Sequence, residues 1–120
     1  MRVLIVETNL DLAQIWARHL RRLGALVQCA HSQDQASEHL QDQQFDVVVL
    51  SVDLDEGSSF AIADIVSYRS PDTRIIAVSR STFFADGSIF NLMPNTAAFV
   101  PSEMAPADLV AIVEHHATSH

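Results

Sequence analysis

At 120 residues, with a formal charge of −8, seven arginines and no lysine, the chain is the size of one domain, residues 1–120, and lacks the clustered cations on which nucleic-acid affinity rests. Although 48% of its residues are apolar, no apolar run approaches the roughly 20 residues that cross a bilayer, and the short apolar stretch after Met1 and Arg2 is too brief for a signal peptide. The composition therefore predicts a cytoplasmic protein with neither nucleic acid nor membrane as a direct partner.

Arg2–Val6 is a short, β-branched run of the kind expected of a strand covered on both faces. Leu12, Ile15, Trp16, His19, Leu20 and Leu23 then recur at helical spacing, opposite Asp11, Gln14, Arg18, Arg21 and Arg22, and Gly24 stands where such a helix would end. Leu26–Ala30 reads as the second strand; its Cys29, the single cysteine, cannot form an internal disulfide and is expected to pack as a small hydrophobe. Ser32 and Gln35 have the spacing of a capping box and open a helix through Leu40. Phe45–Leu50 is the third strand, Ser58–Tyr68 the third helix, ending before Pro71, and Arg74–Ser79 the fourth strand. The segment Thr82–Met93 is interrupted by Asp86-Gly87 and closed by Pro94, which predicts a shortened or bent helix. Ala97–Val100 is the fifth strand, and Pro106 sits at the first position of a last helix that carries Leu109, Ile112 and Val113 inward.

Five strands alternating with helices imply a parallel sheet with helices on both faces. In such sheets the functional crevice lies at the carboxyl ends of the strands, beside the point where strand order switches. The residues to read are then those around the strand exits: Glu7-Thr8-Asn9, Ser51-Val52-Asp53, Ser79-Arg80 and Pro101-Ser102.

Read residue by residue, these exits resemble the receiver domain of bacterial response regulators over nearly the whole chain. VLIVETN (Val3–Asn9) resembles the receiver opening, in which two acidic residues follow the first strand; Glu7 matches the first and Thr8 replaces the second. FDVVVLSVDLDEG (Phe45–Gly57) resembles the third strand and its loop, with Ser51 at the position of the phosphate-accepting aspartate. RIIAVS (Arg74–Ser79) ends on a serine that fits the family's phosphate-sensing hydroxyl, Ser79. AAFVPSEMAPADL (Ala97–Leu109) matches Phe99 to the switch aromatic, Ser102 to the family's lysine and Glu103 to its proline. The resemblance implies a flavodoxin-like three-layer sandwich with a five-stranded parallel sheet in the order 2-1-3-4-5. It also implies a signalling role among partners such as a histidine kinase, a phosphotransferase or another regulator, with a homodimer as a further option.

The substitutions argue against the family's phosphoryl chemistry. That chemistry uses a carboxylate acceptor, a hard divalent cation and a lysine, and Mg²⁺ takes oxygen ligands that usually include one or two carboxylates. With Thr8 and Ser51 neutral and Ser102 in the lysine position, no cofactor is expected, although a weak cation site could draw on Glu7 and Asp53. A phosphorylation-independent receiver that acts by protein contact, and is not an enzyme, is therefore the expected function. One alternative keeps phosphorylation and uses Asp53 or another acceptor. A second is a small-ligand sensor in the same crevice, but three glycines leave no glycine-rich phosphate loop.

Other conspicuous residues have plainer readings. Ser51 is expected to be a small polar strand-end residue, since strained nucleophile turns carry flanking glycines that are missing here. Asp53, Asp55 and Glu56 read as a solvated acidic loop, and His19 as a helix-interior residue. His115, His116 and His120 end the chain, and adjacent histidines cannot share a helical face, so no metal site is expected there. The expected docking surface draws on Phe83, Phe84, Phe90, Met93 and Met104, with Phe99 turned inward because it lacks a polar tip. Arg18, Arg21 and Arg22 on the first helix form the competing face, suited to an acidic partner.

Overall fold

The computed structural model describes residues 1–55, 57–80, 93 and 95–118. Within them the chain runs β1 (Arg2–Val6), α1 (Leu10–Arg22), β2 (Leu26–Ala30), α2 (Gln33–Asp42), β3 (Val47–Ser51), α3 (Ser59–Arg69), β4 (Arg74–Ser79), β5 (Thr96–Pro101) and α4 (Pro106–Thr118). The strands form one sheet, in the order β2-β1-β3-β4-β5, with every neighbouring pair parallel. The switch in strand order falls between β1 and β3.

Successive residues of a strand point to opposite faces, and here both faces are apolar. Val3, Ile5, Val47, Val49, Ile76 and Val78 pack with Trp16 and Leu20 of α1 and Leu109 and Val113 of α4. Leu4, Val6, Val48, Leu50, Ile75 and Ala77 pack with Leu40 of α2 and with Ile62 and Val66 of α3. Trp16 is only 1% exposed. Cys29 lies half-buried against the first cluster, where burial raises its thiol above the ordinary range and the Arg21 charge partly offsets that.

Helix boundaries follow local chemistry. Asn9 caps α1 by accepting the Leu12 N–H at 3.1 Å, and Gly24, at φ +88°, closes the helix in a conformation that L side chains rarely adopt. Ser32 accepts the Gln35 N–H at 3.3 Å, but the return bond of the expected capping box goes one residue upstream: the Gln35 side chain accepts the His31 N–H at 2.7 Å. Ser58 is the N-cap of α3 rather than its first residue, and Pro106 opens α4.

Two strand boundaries differ from the expected ones. β3 begins at Val47, with buried Phe45 and ladder-like bonds from Asp46 preceding it: the Asp46 N–H donates to Arg2 O at 2.8 Å, and Asp46 O accepts the Arg74 N–H at 3.1 Å. β5 extends to Thr96 and Pro101, and its pairing with β4 steps from Thr96 to Ala98, leaving Ala97 as the extra residue of a bulge.

Met93 does not belong to a docking surface. It is fully buried in the cluster of Leu4, Leu50 and Ile62, where an unbranched thioether fills space beneath the sheet, and its carbonyl accepts the Thr96 N–H at 3.1 Å. Phe99 packs half-buried against the same cluster, because β5 is an edge strand. Met104 is half-buried against the opposite one. Phe83, Phe84 and Phe90, the segment Thr82–Met93 other than Met93 itself, and also Glu56, Pro94 and His120, lie outside the described residues.

Candidate functional site

Parallel register gathers the strand exits at one end of the sheet. Val6 pairs with Leu50, Ser51 with Val78, and Ser79 with Pro101, so Ser51 and Ser79, which end β3 and β4, lie beside Glu7 and Ser102, which follow β1 and β5. The Ser102 N–H donates to Ser79 O at 2.9 Å, which joins the exits of β4 and β5 directly. The residues singled out at the exits in the sequence therefore do meet in space.

Each has a definite environment. Glu7 is 5% exposed; its Oε2 accepts the Asn9 N–H at 3.0 Å, and its main-chain carbonyl lies 3.1 Å from His31 Nδ1. Ser51, the last residue of β3, is 3% exposed. The Thr8 hydroxyl accepts the Asp55 N–H at 3.1 Å, tying the β1 exit to the loop after β3. Ser102 Oγ donates to its neighbour, the Glu103 carboxylate, at 3.4 Å.

Asp53 departs most from its expected place in a solvated loop. Its side chain is half-buried, and its Oδ2 accepts both the Ser79 hydroxyl, at 3.2 Å, and the Arg80 N–H, at 2.9 Å. Arg80 Nη2 also donates to the Asp53 carbonyl, at 3.4 Å. The Val52 N–H donates to Val78 O at 2.8 Å, so the loop runs alongside the end of β4. Asp55 is exposed, as expected of a solvated loop residue.

Four contributors were not assigned roles from sequence. Gln33 accepts the Ser58 N–H at 2.8 Å, and Gly57, at φ +88°, lies so close that a Cβ there would collide with the Gln33 side chain; together they close the loop onto α2. His31 and Arg80 act on main-chain groups, for which no side-chain spacing gives a signal; position at a strand exit was their only mark.

Among the described residues no group of three or more His, Cys, Asp or Glu side chains could hold a metal ion. The His115 and His116 rings meet edge to face, with centroids 5.0 Å apart. Burial holds the His116 pKa below the ordinary range, helped by the charges of His115 and Arg74. A cavity of about 530 Å³ lies at the opposite end of the sheet, between the turn before β4 and the end of α4. Its ionic lining is mixed, with Arg69 and Arg74 against Asp46 and Asp72, and it contains none of the strand-exit residues. The convergence of the exits, not cavity size, locates the site. On α1, Arg21 is partly committed, its Nη2 donating to Val27 O at 3.1 Å. Among the described residues no helix is long and apolar enough to cross a membrane.

Comparison with known proteins agrees with this layout. The model of the response regulator receiver domain matches residues 3–114. The non-phosphorylated receiver domain of HemR from Leptospira biflexa superposes with a TM-score of 0.87 at 21% identity, covering 99% of this chain and 95% of that one. A CheY-like receiver domain protein from Methanospirillum hungatei gives 0.87 at 17% identity, covering 97% and 92%. The receiver domain of NtrX from Brucella abortus gives 0.85 at 18% identity, covering 98% and 99%. At these identities the likeness speaks for the fold alone. No curated protein sequence is significantly similar. With the family model covering nearly the whole chain, and the expected exits gathered at one end of a β2-β1-β3-β4-β5 sheet, the chain belongs to the response regulator receiver domain family.

Proposed function

We propose that this receiver works by protein–protein contact and not by phosphoryl transfer. The observation that carries the reading is Ser51: the residue closing β3, where the family resemblance puts the phosphate acceptor, is a buried, neutral side chain. A serine hydroxyl needs an adjacent base to act as a nucleophile, and a serine phosphate would be a stable ester rather than a labile acyl phosphate.

The surrounding donors support the same reading. Transfer to a receiver needs a hard cation held by carboxylates and a positive side chain against the phosphoryl oxygens. Thr8 is neutral and engaged with the Asp55 N–H, Asp53 is engaged with Ser79 and Arg80, and the Glu7 carboxylate accepts the Asn9 N–H. That set does not fit Mg²⁺, which takes near-octahedral oxygens including one or two carboxylates. The exit of β5 carries Ser102, and the chain has no lysine to replace the missing cation.

The partner is a signalling protein such as a histidine kinase, a phosphotransferase or another regulator, or a second copy of the chain, met in the cytoplasm. Phe83, Phe84, Phe90 and Met104 are the anchors proposed for it, with Arg18, Arg21 and Arg22 as the competing face. A charge of −8 argues against nucleic acid.

Incubation with acetyl phosphate and Mg²⁺ tests the reading by intact mass. No phosphoryl adduct is expected. A stoichiometric, hydroxylamine-labile adduct would overturn it, and its mapping to Asp53 would establish a receiver with a displaced acceptor.

A further inference from the structure

The Ser79 hydroxyl and the Arg80 N–H converge on a single oxygen, Oδ2 of Asp53, at 3.2 and 2.9 Å. Two donors aimed at one point, one of them a main-chain amide, make an arrangement suited to an oxyanion, since bonds to an ionised acceptor are stronger than neutral ones. Here the oxyanion belongs to the chain itself. We propose that Asp53 is the resident ligand of this end of the sheet, an internal carboxylate clamp that holds the β3–α3 loop against β4 and keeps external oxyanions out.

The rest of the loop is built to keep the clamp closed. The Asp53 carbonyl accepts from Arg80 Nη2 at 3.4 Å, so Arg80 donates to Asp53 twice, from its main chain to the carboxylate and from its side chain to the carbonyl. On the β1 side, the Thr8 hydroxyl accepts the Asp55 N–H at 3.1 Å. On the α3 side, Ser59 Oγ donates to the Val52 carbonyl at 3.1 Å, and Ser59 is 3% exposed. The Val52 N–H reaches Val78 O at 2.8 Å. These bonds fasten the segment to β1, β4 and α3 and deliver the Asp53 carboxylate to the β4 exit. The inference rests on the proposed function, because a domain that is never phosphorylated gains a fixed state from an anion it already carries. The clamp supplies that fixed state.

The experiment is an NMR titration of the full chain with inorganic phosphate, following the Arg80 amide resonance. In the wild-type protein that resonance should lie downfield, as expected of an amide donating to a carboxylate, and should not respond saturably to phosphate. In Asp53→Ala it should move upfield without anion and then shift back saturably as phosphate is added. The added Ser79→Ala change should abolish most of that response. A saturable wild-type response at Arg80 overturns the proposal, as does a folded Asp53→Ala protein whose Arg80 amide neither moves on mutation nor responds to phosphate.

Should Asp53→Ala fail to fold by circular dichroism, Asp53→Asn decides. It keeps an acceptor oxygen but loses the charge, so the Arg80 resonance should move upfield and phosphate should compete for it; an unchanged resonance with no phosphate response refutes the clamp. These readouts are independent of acyl-phosphate formation. An Asp53 adduct from acetyl phosphate would defeat the proposed function, whereas an inert Arg80 amide in the variants would defeat the clamp alone.

Discussion

Ser51 sets the chemical character of the crevice because it is both the last residue of β3 and 3% exposed. A carboxylate introduced there would enter a nearly dry position in a crevice that already holds Glu7 and Asp53, with no lysine in the chain to neutralise it. Burial of an unpaired charged or polar group is costly, so Ser51→Asp should lower stability by about 1–3 kcal/mol in urea denaturation. It should also remain unlabelled by acetyl phosphate, since one new ligand restores neither the second acid nor the cation. Ser51→Asp, Thr8→Asp and Ser102→Lys together should give a measurable acyl-phosphate adduct by mass. Labelling of the single variant at the rate of the triple variant would show that the missing partners do not limit the chemistry.

At the scale of elements, α4 carries the clearest dependence on pH. The helix starts at Pro106 and ends with His115 and His116 in its last turn. Burial, then His115, then Arg74 lower the His116 pKa from 6.5, so the folded chain binds this proton less readily than the unfolded chain. The unfolded state therefore holds more protons in this window, and stability rises with pH across it. The His116 contribution is unaffected well above 6.5 and turns unfavourable as pH falls from 6.5 through the lower folded value. His116→Gln should flatten that part of the stability profile, measured by thermal denaturation at closely spaced pH values; an unchanged slope would assign it to other groups. The effect should be small, since His116 is only partly buried.

For the molecule as a whole, stability rests on two apolar layers either side of one sheet. Trp16, the chain's only tryptophan, is 1% exposed and anchors α1 in the layer it shares with α4. Trp16→Ala should cost about 3–5 kcal/mol, from lost transfer energy and the cavity left behind. Against a total of roughly 5–15 kcal/mol for a typical domain, that is enough to bring it near unfolding at ambient temperature. Urea titration followed by circular dichroism measures the loss, and Trp16→Phe should retain a substantial part of it. Native tryptophan emission should be blue-shifted and should move red on unfolding; solvent-like emission in the native state would contradict this packing.

Much of the architecture was legible because it depends on local pattern. β-branched runs marked β1, β2 and β4 to the residue, Gly24 and Pro106 marked helix ends, and alternation of strand and helix implied the parallel sheet. The substitutions at Thr8, Ser51 and Ser102 were likewise visible in the one-dimensional order, since each follows or ends a strand. What the tertiary structure decided depends on main-chain groups brought together from distant parts of the chain. Asp53 read as a solvated loop acid, yet it meets the Ser79 hydroxyl and the Arg80 amide, 26 and 27 residues away. Thr8 read as a lost acid, yet its hydroxyl holds the Asp55 amide 47 residues on. Met93 read as a surface anchor, yet it fills the layer beneath Leu4 and Leu50. Periodicity records which face of an element is apolar; it carries no record of which distant amide or cavity that face will meet, because backbone groups have no sequence signature and the space under a sheet exists only after its strands are paired.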